Sequence, residues 1–182
     1  MELLFVTSNP NKLREASRLL GRDLLRCDLE VKEIQAIEVK DVVREKAKAA
    51  YGATSRPVLV EDTGLYIRKL GGFPGALVKW VLGSVGNEGI CRLLKEGDDR
   101  SAYAETGLCV YDGKEFRTFF GRVDGSIAES PRGTTNFGWD PVFQPEGRDV
   151  TFAEMPPREK DSISMRAIAF AKLKEYLDGQ PP

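Results

Sequence analysis

The sequence predicts an α/β domain, on three observations. Strand-like and helix-like patterns alternate through the first sixty residues, the order that builds a sheet with helices packed on it. Further on, two β stretches flank Asp112-Gly113, a strong hairpin turn signal. The chain has 182 residues, about one domain at roughly 150 residues each and long enough to bury a core.

The apolar run Leu3 to Val6 ahead of Thr7-Ser8-Asn9-Pro10 reads as a buried strand ending in a polar loop. A helix follows, with Leu13, Ala16, Ser17 and Leu20 on one face, Ser8 or Asn9 as cap, Pro10 at its first position and Gly21 at its exit. Leu24 to Ile34 alternates in character and predicts a second strand. Over Asp41 to Ala53, Val42, Val43, Ala47 and Ala50 form the apolar stripe of a second helix. Pro57 to Val60 predicts a short apolar strand that stops at Glu61-Asp62-Thr63-Gly64. Gly71 to Gly75 is a loop, and helices are expected over Ala76–Leu82 and Asn87–Lys95. The β stretches Ala102–Tyr111 and Glu115–Ile127 make an antiparallel region that suggests a second lobe. A Gly- and Pro-rich segment, Glu129 to Arg158, leads to a last helix from about Ser162 to Leu177.

Composition limits the chemistry. There is no histidine, which excludes Ser-His-Asp and Cys-His catalysis and any His-ligated metal. Acid–base work then falls to carboxylates, Lys, Tyr, Cys or metal-bound water. Cys27, Cys91 and Cys109 form an odd set without CxxC spacing, read as small hydrophobes in a reducing cytoplasm. A net charge of −1 argues against a duplex nucleic-acid partner. The N-terminal apolar run is too short for a signal peptide, and no stretch is long enough to span a membrane. A soluble cytoplasmic protein is expected.

Four features could carry chemistry, each beside a plainer reading. Thr7 to Lys12 lies between strand and helix, where unpaired N–H groups and a Lys make an anion site; it is equally a capped turn with a solvated Lys. Glu61-Asp62 follows an apolar strand, where carboxylates call for a cation; the plainer reading is a surface turn. Neighbours on an extended chain point opposite ways, so one of the two faces a site. Phe137-Gly138-Trp139-Asp140-Pro141 combines aromatic faces able to stack on a nucleobase with a carboxylate, or else is core beneath a loop. Lys160 and Arg166 flank the mouth of the last helix, where the macrodipole disfavours cations and an anionic partner is wanted; solvated surface cations are the alternative. Together these suggest a nucleotide.

Five segments in order, Thr7-Ser8-Asn9-x-x-Lys12, Val60 to Leu65, Gly71 to Gly75, Phe137 to Pro141 and Ser164-x-Arg166, resemble the inosine triphosphatase family of non-canonical purine nucleoside triphosphate pyrophosphatases, from Met1 to about Leu177. The resemblance implies a mixed, twisted central sheet with flanking helices and two lobes, the second at about 66–130, around a deep nucleotide-binding cleft. It implies a Mg²⁺-dependent homodimer that releases pyrophosphate from ITP, dITP or XTP. By the same resemblance, Thr7, Ser8, Asn9, Pro10, Asn11 and Lys12 bind the triphosphate. Glu33 and Asp62 hold Mg²⁺, Asp62 is also the base for the attacking water, and Thr63 touches substrate. Phe137, Gly138, Trp139 and Asp140 receive the base with Phe137 as the stacking ring, and Lys160, Met165 and Arg166 close the site.

One departure stands out: the family carries Ser-His-Arg where this chain has Ser164-Met165-Arg166. A thioether cannot donate an imidazole's hydrogen bond, which predicts weaker discrimination of ITP from ATP. Competing readings are a nucleotide sensor that does not hydrolyse, a related enzyme acting on modified pyrimidine triphosphates and, least favoured, a nucleic-acid binder. The joint presence of Glu33 and Asp62 favours an enzyme over the sensor.

Overall fold

A computed structural model describes residues 3–135 and 138–179. Its centre is a seven-stranded mixed sheet made of β1 (Leu4–Val6), β2 (Leu25–Cys27), β3 (Val58–Ile67), β4 (Pro74–Gly75), β5 (Ser101–Tyr111), β6 (Phe116–Ile127) and β7 (Phe143–Pro145), in the order β2-β1-β3-β5-β6-β7 with β4 also on β3. β1 lies parallel to β2 and β3, while all other pairings are antiparallel. The helices are α1 (Pro10–Leu20), α2 (Val39–Thr54), α3 (Val78–Arg92), α4 (Pro157–Ile163) and α5 (Met165–Asp178).

Alternation along β3 decides what covers each face. Val58, Val60 and Tyr66 pack with Val39, Val43, Ala47 and Ala50 of α2. Leu59 points the other way into a cluster with Ala16 and Leu20 of α1 and Phe170 and Leu173 of α5. Leu65 and Ile67 join a third cluster with Val78 and Ile90 of α3, Trp139 and Met165. Burial of these side chains at roughly 25 cal/mol per Å² of apolar surface is what holds the layers together. Among the described residues no helix is long and apolar enough to cross a membrane.

Several elements match their sequence signals. α1 has Asn9 as cap, Pro10 in its first turn and Gly21 in the left-handed conformation at its exit. The expected pair of helices after Gly75 is one helical stretch broken at Gly86, whose φ of 70° and ψ of −176° are not helical. β5 pairs with β6 along its whole length, from Ser101↔Ser126 to Tyr111↔Phe116.

Three expectations are corrected. The strand expected over Leu24 to Ile34 is confined to Leu25–Cys27, because β2 pairs only with the three residues of β1 and nothing continues the ladder beyond. β3 does not stop at Glu61 but runs to Ile67, paired residue by residue with β5 from Val58↔Tyr111 to Ile67↔Ala102. Glu61-Asp62 is therefore the middle of a strand, not a turn beyond one. The last helix is two, broken at Ser164, whose ψ of 151° is extended.

That break sets where Met165 and Arg166 lie. Ser164 is fully buried, and its hydroxyl accepts a hydrogen bond from the Ala167 amide at 3.1 Å, capping α5 just where Met165 and Arg166 begin it. Ser164→Ala is expected to cost about 1 kcal/mol in urea unfolding, as loss of a helix cap does. Gly75 performs a similar service for the irregular segment before α2. With φ +56° it lies so close to Ile37 that a Cβ would meet the Ile37 carbonyl oxygen at 2.3 Å. The neighbouring Ala76 amide donates to that same oxygen at 2.8 Å, tethering the segment that carries Glu33.

Candidate active site

Two adjoining pockets lie around the carboxyl end of β1 and the middle of β3. The larger, about 1040 Å³, is lined by Thr7, Ser8, Asn9, Pro10, Lys12, Glu33, Lys46 and Asp62. The smaller, about 330 Å³, is lined by Asn11, Thr63, Gly138, Trp139, Asp140, Lys160, Met165 and Arg166. Asn9, Lys12, Glu33, Asp62, Lys79 and Trp80 border both. Every expected site residue among those described thus lies on one continuous surface. Phe137 falls outside the described residues.

The turn reading of the loop after β1 holds, but without the solvated Lys, because the Lys12 ammonium lies 3.6 Å from Glu61 Oε1. The loop is a capped turn: the Asn9 side-chain oxygen accepts from the Asn11 amide at 2.9 Å, and the Thr7 hydroxyl accepts from the Asn9 amide at 3.1 Å. It also presents the N-terminus of α1 to the larger pocket, with the partial positive charge such an end carries. Arg26 braces it from β2, donating to the Thr7 and Ser8 carbonyl oxygens at 3.2 Å each.

Glu61 and Asp62 point to opposite sides of β3, as extended neighbours must. Glu61 is 2% exposed and faces α5, where the Arg166 guanidinium donates to it through Nε at 3.0 Å and also through Nη2. Arg166 reaches Glu15 of α1 as well, and the Lys12 ammonium stands 3.6 Å from Glu61 Oε1. Burial works against ionisation of Glu61, yet Arg166 and Lys12 outweigh it and hold the carboxyl below the usual glutamate range. The cations at the mouth of the last helix are therefore not solvated surface charges. Arg166 answers buried carboxylates, and Lys160 pairs with buried Asp140 at 2.5 Å.

Asp62 faces the pockets and, among the described residues, makes no salt bridge. Burial pushes its carboxyl above the usual aspartate range, with Glu33 adding to the rise and Lys12 and Lys46 opposing it. Glu33 differs. Burial favours its neutral form, but the Lys46 ammonium, 2.5 Å from Oε1, with Lys79 and Lys12 beyond, draws it below the usual range. Two acidic side chains of unequal basicity thus meet between lysines. Among the described residues no three His, Cys, Asp or Glu side chains gather at one point.

In the smaller pocket Trp139 is 8% exposed and packs edge-on against Phe143 at 5.8 Å, so the core reading holds for this ring. The Gly138 carbonyl, at a left-handed glycine, accepts from Asn87 at 3.2 Å just past the break in α3. Met165 is buried in the cluster behind the pocket. The hydroxyls of Thr63 and Thr106 lie 3.0 Å apart across the β3–β5 pair.

The sequence reading did not single out Lys46, Lys79, Glu15 or Thr106. For Lys46 a signal existed. Val39, Val42, Val43 and Lys46 fall at i, i+3, i+4 and i+7, so a charge occupies a place on the buried stripe of α2. The other three are recognisable only from partners distant in sequence.

The Ham1 family matches residues 3–176. An inosine triphosphate pyrophosphatase of Kluyveromyces lactis is 41% identical, over 97% of this chain and 95% of its own length. A dITP/XTP pyrophosphatase of Saccharolobus solfataricus is 42% identical, over 95% and 92%. Among solved structures, a HAM1 protein of Coxiella burnetii superimposes with a TM-score of 0.86 at 26% identity, covering 99% of this chain and all of its own.

Proposed function

This chain belongs to the Ham1 family, and from that premise we propose that it hydrolyses the non-canonical purine nucleoside triphosphates ITP, dITP and XTP to the monophosphate and pyrophosphate. The observation that carries this reading is the shared wall of the two pockets. Lys12, Glu33 and Asp62 stand between a chamber that sets Lys12, Lys46 and Lys79 beside carboxylates at the α1 N-terminus, suited to a triphosphate with its metal, and a chamber bounded by Trp139, Asp140 and Lys160 suited to a base. Relatives at about 40% identity are named for these substrates.

The donor set fits Mg²⁺, which takes one or two carboxylates and completes its shell with water and substrate phosphates. Glu33 and Asp62 supply two hard oxygen ligands. The chain has no histidine, and among the described residues no cysteine lines either pocket. When bound, the metal would neutralise charge on the phosphate oxygens and polarise the attacked phosphorus. Lys12 and Lys79 bind and orient the triphosphate, and the N-terminus of α1 receives its oxygens. Asp62, with a carboxyl made more basic by burial, takes the proton of the attacking water. Pyrophosphate departs as an anion paired with lysine. Phosphoryl transfer of this kind rests on positioning and charge stabilisation rather than a covalent enzyme intermediate. In water enriched in ¹⁸O, attack at the α-phosphorus places the label in inosine monophosphate. Label in the pyrophosphate or in free phosphate would contradict this mechanism.

Binding of the base engages Asp140 and Lys160, with Phe137 as the stacking ring. Burial raises the Asp140 carboxyl while Lys160 opposes it, so the pair is poised to exchange contacts with a polar base edge. Met165 offers no hydrogen-bond donor at the position where the family carries His. Met165→His is expected to raise the ITP-to-ATP ratio of kcat/KM by about tenfold, the value of one hydrogen bond to a charged or buried group. An unchanged ratio would remove Met165 from the account of selectivity. The same reading includes a homodimer of two 20.2 kDa chains, tested by the mass in solution, and a cytoplasmic setting in which Cys27, Cys91 and Cys109 stay free thiols.

A further inference from the structure

The ammonium of Lys46 sits where positive charge is most wanted in the absence of substrate. Its Nζ is 2.5 Å from Glu33 Oε1 and 3.3 Å from the Glu61 carbonyl oxygen. Its side chain is only 14% exposed, because α2 delivers it from a position on the buried stripe. Lys12 and Lys79 stand close enough to act on the same carboxylate. A divalent cation bound between Glu33 and Asp62 would lie within a few ångströms of this ammonium, and like charges at that range repel strongly in a partly buried site.

We propose that Lys46 is the resident counter-ion of Glu33 and keeps a free divalent cation out of the site between Glu33 and Asp62 until a triphosphate draws its ammonium away. The proposal rests on the metal-dependent reading above and adds an order to it: the metal enters with the nucleotide or after it, not before. The triphosphate brings about four negative charges at neutral pH, which compete with Glu33 for the three lysines. Lys46 then exchanges its carboxylate for phosphate oxygens, and Glu33 is released to the metal. The bound metal is thereby coupled to bound nucleotide, and each favours the other.

The probe is Mn²⁺, followed by electron paramagnetic resonance and calorimetry on the full chain, without nucleotide and with an α,β-imido analogue of ITP. Lys46→Met is expected to bind Mn²⁺ without nucleotide about tenfold or more tightly than wild type, since an opposing charge is gone. Lys46→Arg keeps the charge and is expected to bind as weakly as wild type. Lys48→Met, an exposed position on the same helix, controls for net charge and should change nothing. With the analogue present, wild type should gain Mn²⁺ affinity by a larger factor than Lys46→Met does. Equal Mn²⁺ affinity of wild type and Lys46→Met without nucleotide, with both binding the Mn²⁺–analogue complex, overturns the proposal and leaves the enzyme reading intact. If no protein binds Mn²⁺ under either condition, the metal site itself is absent and both fall. Circular dichroism and urea unfolding of each variant confirm that the comparison is between folded proteins.

Discussion

Asp62→Asn is expected to turn over ITP about a thousandfold more slowly than wild type, within the roughly 10²–10⁴-fold that a positioned general base contributes. The change keeps the shape of the side chain and removes both the proposed proton acceptor and one proposed anionic metal ligand. Because Asp62 makes no salt bridge among the described residues, no buried cation is left stranded and the fold should survive. Affinity for the nucleotide should fall far less than turnover. The pH profile gives a second readout. Asp62 must be ionised to accept a proton, so wild-type kcat/KM should drop on the acid side through a value raised above the ordinary ~3.9 of aspartate. The residual rate of Asp62→Asn should lack that limb. Full recovery of the variant by excess Mg²⁺ would assign the carboxylate to holding metal alone.

Arg166→Met is expected to cost about 3–5 kcal/mol of stability, the usual price of leaving buried charge without its partner. The guanidinium is 4% exposed and answers Glu61 and Glu15 together. Glu61 is only 2% exposed, and among the described residues its Oε2 has no hydrogen-bond partner. Since a domain has roughly 5–15 kcal/mol in total, the variant should sit near the edge of folding. The sign with pH follows from Glu61. Its carboxyl is depressed in the folded protein, so the wild-type pair contributes stability that is full above ~4.3, the ordinary glutamate value, and is lost as pH falls through the lower folded value. In Arg166→Met the stranded carboxylates are relieved by protonation, so the gap between variant and wild type should narrow on acidification. A loss under about 1 kcal/mol at pH 7 would mean that the carboxylates reach water in the variant.

The parts of this site that could be read along the chain are those whose signal is local. Asn9, Pro10 and Gly21 mark the limits of α1 because caps act within one turn. Asp112-Gly113 marks the β5–β6 turn for the same reason. Glu61-Asp62-Thr63-Gly64 misleads, since two charges and a glycine resemble a turn when seen alone. Only the β5 ladder and the distant Arg166, 105 residues further on, explain why they lie mid-strand. Leu24 to Ile34 misleads in the opposite sense: its alternation is that of a strand, but β1 offers it three residues to pair with. The anomaly of cations at the mouth of the last helix was visible in sequence, while the identity of their partners, Glu61, Glu15 and Asp140, required the fold.

The central claim, a pyrophosphatase built on Asp62 with a purine-selective base chamber, is tested most directly by measuring pyrophosphate release from ITP, XTP, dITP, GTP and ATP with Mg²⁺, beside Asp62→Asn. Fast release from the first three, slower release from GTP and ATP and near silence from the variant is the predicted result. Tight binding of ITP with no pyrophosphate from any nucleotide would contradict it and make the protein a nucleotide sensor.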